Sequence, residues 1–163
     1  MNQPSIPVRG HARLRIGRAS DPGRIYLVTF CTAGRATLFA DQTSARAFVR
    51  ALNARELLRQ SLLFCWVLMP DHWHGLVELG GADLLSTLVG RIKGSTSRAV
   101  NVSRAASGQV WARGFHDHAV RRDEDVVSLA RYVVRNPVRA GLARRVGEYP
   151  FWDAVWLSEG HRG

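Results

Sequence analysis

The sequence is poor in cysteine, in lysine and in long apolar segments. No uninterrupted apolar run approaches the roughly 18 to 20 residues that a helix needs to cross a bilayer, which excludes a transmembrane protein. The residues before Ser20 contain no apolar core of the about 7 to 15 residues typical of secretory signals, so a cytoplasmic location is expected. The two cysteines, Cys31 and Cys65, lie in apolar stretches and form neither a zinc pattern nor a disulfide framework.

The charge of the chain is strongly positive. It carries 23 arginine and lysine residues against 13 acidic residues, a formal net charge of +10, and Lys93 is its single lysine. This balance predicts a polyanionic partner, and the planar guanidinium of arginine suits contacts to phosphate and base edges. At 163 residues the chain is long enough for one domain. We expect that domain to span residues 1–163, with a basic N-terminal arm (1–24) and a C-terminal tail (144–163).

The pattern of apolar and turn-forming residues predicts the element order β, α, β, β, α, β, α. This order is typical of an α+β fold of the ferredoxin-like split βαβ type, with helices packed on a mainly antiparallel sheet. Residues 95–108 form a polar stretch without a clear period. The expected strands are residues 25–31, 62–69, 72–79 and 110–121; the expected helices are 45–58 behind Asp41, 82–91 with Asp83 as N-cap, and one that follows the acidic run 123–125.

Two histidines flank a tryptophan at the start of the predicted third strand. Because strand side chains alternate between faces, His72 and His74 are expected on one face and Trp73 on the other. Two neighbouring imidazoles on a rigid strand can hold one divalent ion, while Trp73 would anchor the strand in the core. The residues alone leave open a pair of surface or hydrogen-bonded histidines without a metal.

A tyrosine and an asparagine lie four residues apart on the predicted third helix. Tyr132 and Asn136 therefore share a face, and Pro137 marks a kink or the end of the helix directly after them. Such a break would direct both side chains into a cleft. In the alternative interpretation, Tyr132 is a half-buried packing residue and Asn136 caps the helix.

Four short motifs, taken together, resemble a known family. They are MPDHWHGL (residues 69–76), RIKGS (91–95), VWARGFHDH (110–118) and ARYVVRNPVRAGL (130–142). Their order and spacing are similar to those of the REP-associated tyrosine transposases, which are relatives of the IS200/IS605 transposases among the HUH single-strand nucleases. The likeness covers roughly residues 25–142.

The resemblance implies a chemistry and assigns roles in it. His72 and His74 would be the paired ligands of a Mg²⁺ or Mn²⁺ ion, Asn136 would occupy the third ligand position, and Tyr132 would be the nucleophile. The implied activity is that of a metal-dependent nuclease and strand transferase, which acts on single-stranded DNA beside a REP-like hairpin through a 5′-phosphotyrosine intermediate. The REP-associated group resembles monomers, so a monomer is expected, with a homodimer as the alternative.

Several basic residues are candidates for contacts with the DNA backbone. The N-terminal arm and the segment with Arg91, Lys93 and Arg98 would clamp the hairpin, and the arginines beside Tyr132 would attract phosphate. A second metal site at the His-x-His of residues 116–118 is disfavoured, and these histidines are assigned to DNA contact or packing instead. The predicted DNA-binding residues are Arg13, Arg15, Arg91, Lys93, Arg98, Arg131, Arg135, His116 and His118.

Two other functions remain compatible with the sequence. One is a non-catalytic nucleic-acid-binding module, either a domesticated repressor or an RNA-binding ferredoxin-like domain. The other is a phosphodiesterase that uses water, with Tyr132 purely structural. A pure binder would not need His72, His74, Tyr132 and Asn136 in one place, so their co-location is the feature that discriminates against it.

Overall fold

Five antiparallel strands form the central sheet of this protein. The computed structural model describes residues 23–81 and 83–158. In this part of the chain the sheet has the order β4-β1-β3-β2-β5, and its first four strands have the order of a ferredoxin-like split βαβ fold. The expected α+β class with a mainly antiparallel sheet is confirmed. The strands are β1 (Ile25–Cys31), β2 (Leu62–Met69), β3 (His72–Glu78), β4 (His116–Ala119) and β5 (Trp152–Ala154).

Helices cover both faces of the sheet. The first two helices pack against each other and on one face, and the third packs on the opposite face. The helices are α1 (Gln42–Leu52), α2 (Leu85–Ser103), α3 (Val126–Val134), α4 (Asn136–Arg139) and α5 (Val155–Ser158). No helix of the described residues is long and apolar enough to span a bilayer.

Alternation along the strands assigns residues to the two cores. In β1 the even positions, such as Val28 and Phe30, are buried under α1 and α2, and Trp73 of β3 joins them. Leu76 and other residues of the opposite parity pack beneath α3. Adjacent residues of one strand therefore serve different cores, as the period of two requires.

Three predicted elements have different bounds in the structure. The first helix begins behind its N-cap Asp41 as expected but ends at Leu52 instead of residue 58. The second runs on to Ser103, through most of the stretch expected to lack structure, and Asp83 is not its N-cap. The fourth strand is limited to His116–Ala119, because the chain before it makes only an isolated bridge between Thr32 and Trp111.

The aromatic residues in the last third of the sequence mostly pack inside the protein. Trp111 is buried, Phe115 packs against the same core, and Trp152 packs beneath α3. Trp156 stacks on Phe64 but stays partly exposed. The described part of the tail thus extends the sheet, because β5 pairs with β2 at its edge.

Both cysteines are free thiols, in line with the absence of a disulfide framework. Burial raises the pKa of the Cys65 thiol to about 12, so it stays protonated and behaves as a small apolar side chain. Arg13 and Arg15 of the predicted basic arm lie outside the described residues.

Candidate active site

The two histidines of β3 lie side by side on one face of the sheet. The centroids of the His72 and His74 rings are 4.7 Å apart, and the rings are nearly perpendicular at 85°. Trp73, between them in sequence, points into the opposite core and is 0% exposed. The predicted division of these three residues between the faces is confirmed.

Both imidazoles are oriented through the same ring nitrogen. His72 donates from Nδ1 to the Asp71 carboxylate at 2.7 Å, and Arg35 holds the other oxygen of that carboxylate at 3.2 Å. His74 Nδ1 forms a hydrogen bond of 2.6 Å with Thr29 Oγ1, across the β1–β3 ladder. When Nδ1 carries the proton, Nε2 of each ring is left with a lone pair that can bind a cation.

The surroundings of His74 favour its neutral form. Burial, followed by the charges of His72, Arg139 and Arg35, lowers the pKa of His74 to about 3. The imidazole is therefore uncharged near neutral pH. A neutral imidazole is the form that binds a metal ion.

The helix that carries Tyr132 covers the sheet face on which the histidines lie. Asp125 caps its first turn by accepting a hydrogen bond from Val127 N, and Ala130 and Val133 pack in the same cluster as Leu76 of β3. Tyr132 lies outside this apolar stripe and is 43% exposed. The predicted separation of the tyrosine from the packing face of the helix is confirmed.

A single guanidinium relates the tyrosine to the histidines. Arg139 Cζ lies 3.8 Å from the centroid of the Tyr132 ring, and the same positive charge contributes to the low pKa of His74. The tyrosine helix and the histidine pair thus lie on the same face of the sheet.

Asn136 lies where the tyrosine helix breaks. The helix α3 ends at Val134, and a new turn begins at Asn136 with Pro137 in its first positions. The Asn136 amide donates to the Val133 carbonyl at 2.9 Å and lies 3.5 Å from the Tyr132 carbonyl. The side chain therefore caps the helix through Nδ2, while its Oδ1 is the oxygen that a cation would use.

These residues are compatible with a hard divalent ion that keeps open positions. Each imidazole has its Nδ1 engaged, which leaves Nε2 as the nitrogen able to bind a cation, and two protein nitrogens alone would leave positions for oxygen ligands. Within residues 23–81 and 83–158, no group of three or more His, Cys, Asp or Glu side chains is arranged to hold a metal ion. Any metal bound here would thus depend on the two histidines with other oxygens.

The predicted DNA-binding residues Arg91 and Lys93, in the first half of α2, form internal contacts. Arg91 makes a two-pronged ion pair with Asp83, and Lys93 donates to the carbonyls of Ala112 and Gly114 at 2.7 and 2.9 Å. Both belong to the helix that covers the face opposite the histidines. Their contacts stabilise the protein itself, and their contact with DNA stays a prediction.

The remaining predicted DNA-binding arginines in the described part of the chain are exposed. Arg98 lies on α2, Arg131 lies on the tyrosine helix, and Arg135 lies at its C-terminal cap. The last two are therefore the ones that the fold brings near the candidate site.

The second His-x-His lies on the edge strand β4. His116 is opposite Thr29 in the β4–β1 ladder, and Thr29 is opposite His74, so all three face the same side of the sheet. His118 donates from Nε2 to both carboxylate oxygens of Glu124 at 3.0 Å. That bond connects β4 to the segment before the tyrosine helix, while His116 is exposed.

Sequence reasoning missed two residues that orient the site, Asp71 and Thr29. Asp71 stands in the motif beside His72, and this adjacency is the one available signal. Thr29 meets His74 only through the register of β1 and β3. Arg139 is one of the arginines expected beside Tyr132, and the two meet because the chain stays helical beyond Pro137.

Comparison with known proteins identifies the family. The family described as "Transposase IS200 like" matches residues 23–136, well over half of the chain. The chain belongs to this family of IS200-like transposases. It is 30% identical over 87 residues to a REP-associated tyrosine transposase of Escherichia coli K12. The matched region covers 53% of this chain and 50% of that transposase.

Two further similarities agree with this family. A candidate REP-associated tyrosine transposase of Haemophilus influenzae is 29% identical over 94 residues, covering 52% of this chain and 53% of that one. The chain thus spans about half the length of the curated relatives it matches. A solved REP-associated tyrosine transposase, bound to a REP hairpin, superposes with a TM-score of 0.66 at 23% identity over 90% of this chain and 85% of that one, which establishes the fold.

Proposed function

We propose that this protein is a metal-dependent nuclease and strand transferase for single-stranded DNA beside a REP-like hairpin, with Tyr132 as the nucleophile. The observation that carries the proposal is that exposed Tyr132 lies on the helix that packs over the sheet face of the two oriented histidines, His72 and His74. A pure binding module needs no such association between a tyrosine and a pair of oriented histidines. The hairpin substrate is supported by the relative solved with a REP hairpin.

In the proposed reaction the Tyr132 oxygen replaces a DNA oxygen on phosphorus. The phenol proton passes to solvent, the phenolate attacks in line, and the P–O3′ bond breaks with its electron pair on O3′. The departing O3′ takes up a proton from water. The products are a 5′-phosphotyrosine and a free 3′-hydroxyl, and another 3′-hydroxyl can reverse the step and join strands.

The histidines and Asn136 would hold a Mg²⁺ or Mn²⁺ ion through the two Nε2 atoms and the amide oxygen. Such an ion supplies charge neutralisation at the non-bridging oxygens of the scissile phosphate. Asp71 and Thr29 keep the imidazoles in the required orientation. Exposed Arg131 and Arg135 on the tyrosine-bearing segment would attract the DNA backbone.

We propose that the protein acts as a monomer in the cytoplasm. One chain carries both the histidine pair and the tyrosine helix on the same sheet face, which supports a monomer. The two free thiols fit a reducing compartment.

The decisive experiment looks for the covalent intermediate. Labelled single-stranded DNA with a REP-like hairpin is incubated with Mn²⁺ and the wild type, Tyr132→Phe or Tyr149→Phe. We expect a denaturation-resistant protein–DNA adduct with the wild type and Tyr149→Phe, and none with Tyr132→Phe. Tyr149 is a matched control because its hydroxyl donates to a backbone carbonyl, that of Leu68.

Each alternative predicts a different result. Equal cleavage by the wild type and Tyr132→Phe would show that the nucleophile is water. Hairpin binding without cleavage by any variant would support the non-catalytic module.

A further inference from the structure

Three arginines lie at helical spacing around the tyrosine, one before it and two after it, and Arg139 contacts it. All three are exposed, and Arg139 places its guanidinium over the Tyr132 ring at 3.8 Å. Residues seven apart lie on one face of a helix, two turns along. The helical path continues through the break, because Arg139 N donates to the Arg135 carbonyl at 3.0 Å.

The rest of the Arg139 guanidinium is available for another ligand. It has no hydrogen-bond or ion-pair partner among the side chains and carbonyls of the residues that the structure describes. A cation–π contact uses the flat face of the group, while its five N–H donors point outward in its plane. One arginine can therefore contact a phenol ring and a phosphate at the same time, which the point charge of a lysine cannot do with the same geometry.

The segment that carries Arg139 follows directly on the helix that packs over the histidine face of the sheet. Arg35, in the loop after β1, is the other arginine to consider, because it holds the Asp71 carboxylate that orients His72. Of the two, Arg35 is engaged with Asp71 and with the Cys31 sulfur, which leaves Arg139 as the one suited to a phosphate.

We propose that Arg139 is a positioning residue that stacks on the Tyr132 phenol and donates hydrogen bonds to the non-bridging oxygens of the phosphodiester to be cut. The assignment rests on the tyrosine mechanism proposed above and adds to it the group that brings nucleophile and phosphate together. It differs from backbone clamping, because it predicts an effect on the chemical step and not on hairpin affinity.

The kinetic test compares Arg139→Gln and Arg139→Lys with Arg50→Gln. Arg50 is an exposed residue of α1 on the opposite side of the sheet, so its variant removes the same charge without touching the site. We expect the single-turnover cleavage rate of Arg139→Gln to fall about 100-fold, the loss typical of a misplaced reacting group. Hairpin affinity should stay within about threefold, and Arg139→Lys should recover part of the rate.

The contact itself is tested without catalysis. The chain has three tyrosines, so incorporation of 3-fluorotyrosine gives three ¹⁹F resonances, and Tyr132→Phe identifies the one from Tyr132. Arg139→Gln should shift this resonance and leave those of Tyr26 and Tyr149 in place, and Arg50→Gln should shift none. The resonances of Tyr26 and Tyr149 also report whether the variant is folded.

The outcomes separate the two proposals. An unshifted Tyr132 resonance, or cleavage by Arg139→Gln at the wild-type rate, overturns the role of Arg139 even where Tyr132 is the nucleophile. A tenfold loss of hairpin affinity with an unchanged cleavage rate also overturns it, in favour of backbone clamping. Failure of the wild type to form an adduct overturns the proposed function, while a shifted resonance would still support the contact.

Discussion

The indole of Trp73 covers Gly75, two residues further along the same strand. A Cβ atom added at Gly75 would coincide with the six-membered ring of the indole. The ring is fully buried and stacks on Phe30 at 4.9 Å between centroids. The residue between the two histidines thus packs in the core only because the strand carries a glycine at this point.

Replacing that glycine should displace the indole and destabilise the protein. We expect Gly75→Ala to lower the free energy of unfolding by about 1–3 kcal/mol, the usual cost of overpacking a core. Gly90→Ala is the matched control, because Gly90 lies on the exposed side of α2 with no atom near its Cβ position, and alanine there should stabilise by about 0.5–1 kcal/mol. Urea denaturation measures both; equal effects would contradict the packing described.

Substitutions at neighbouring residues of β3 should affect stability in one case and activity in the other. Trp73→Ala should destabilise by about 3–5 kcal/mol, because it leaves a large cavity in the core. His72→Ala, at a half-buried position on the other face, should cost about 1 kcal/mol or less and abolish cleavage. Thermal unfolding and the hairpin-cleavage assay distinguish them, and a stable Trp73→Ala variant would refute the assignment of faces.

The hydroxyl of Thr29 should matter for metal binding. Thr29→Val preserves the shape of the side chain but removes its 2.6 Å hydrogen bond to His74, so we expect Mn²⁺ affinity to fall about 10- to 100-fold. Thr87→Val, at an exposed position of α2, serves as the control. Titration calorimetry or the electron paramagnetic resonance of free Mn²⁺ gives the affinities, and equal values for the two variants would rule out an orienting role.

The ion pair between Asp83 and Arg91 should make stability depend on pH. The hydrogen bond from Arg91 holds the pKa of Asp83 below its ordinary value of 3.8. Because the folded-state pKa is the lower one, the contribution of the pair is complete above about pH 4 and is lost as the pH falls through the folded-state value.

Asp83→Asn should therefore cost about 1–3 kcal/mol at pH 7, and the difference from the wild type should shrink in acid. Asp123→Asn, at an exposed position, should stay within about 0.5 kcal/mol of the wild type at every pH. Denaturation curves between pH 7 and pH 2 test this. If the difference in stability between Asp83→Asn and the wild type does not change with pH, the charge of Asp83 is not the source of that difference.

The elements with the clearest patterns were predictable from the sequence. The first strand, the hairpin that carries the histidines and the acidic cap before the tyrosine helix follow directly from alternation and from capping residues. Local chemistry also predicted the end of that helix before Pro137. In these segments the local preference and the tertiary packing agree.

Elsewhere tertiary contacts overruled the local pattern. The helix α2 continues past residue 95 because Thr96 is buried there, donating to the Ile92 carbonyl and accepting from the Trp111 indole. Because threonine counts as a polar residue in a hydrophobicity pattern, the helical spacing of the buried residues 92, 96 and 100 is not visible in the sequence. The strand before His116 is shorter than predicted, since Gly114 adopts a positive φ of 76° that interrupts it.

The candidate site was predictable only in part. The histidine pair follows from the period of a strand, and the family resemblance added the tyrosine. Thr29, which orients His74, is 45 residues from it in sequence and meets it only through strand register, so this relation leaves no local signature. The contact between Arg139 and Tyr132 has one in their helical spacing, although Pro137 between them obscures it.

Because the side chains of β3 alternate between two faces of the sheet, insertions and deletions within this strand should not be tolerated. Deleting or inserting a single codon within His72–Glu78 would exchange the two sets of side chains, turning imidazoles inward and the indole outward. Such a frame-preserving change would cost both folding and chemistry at once. Variation in length should therefore accumulate in the segments that join the elements, such as residues 104–115, while the length of this strand stays constant among proteins that keep the same site.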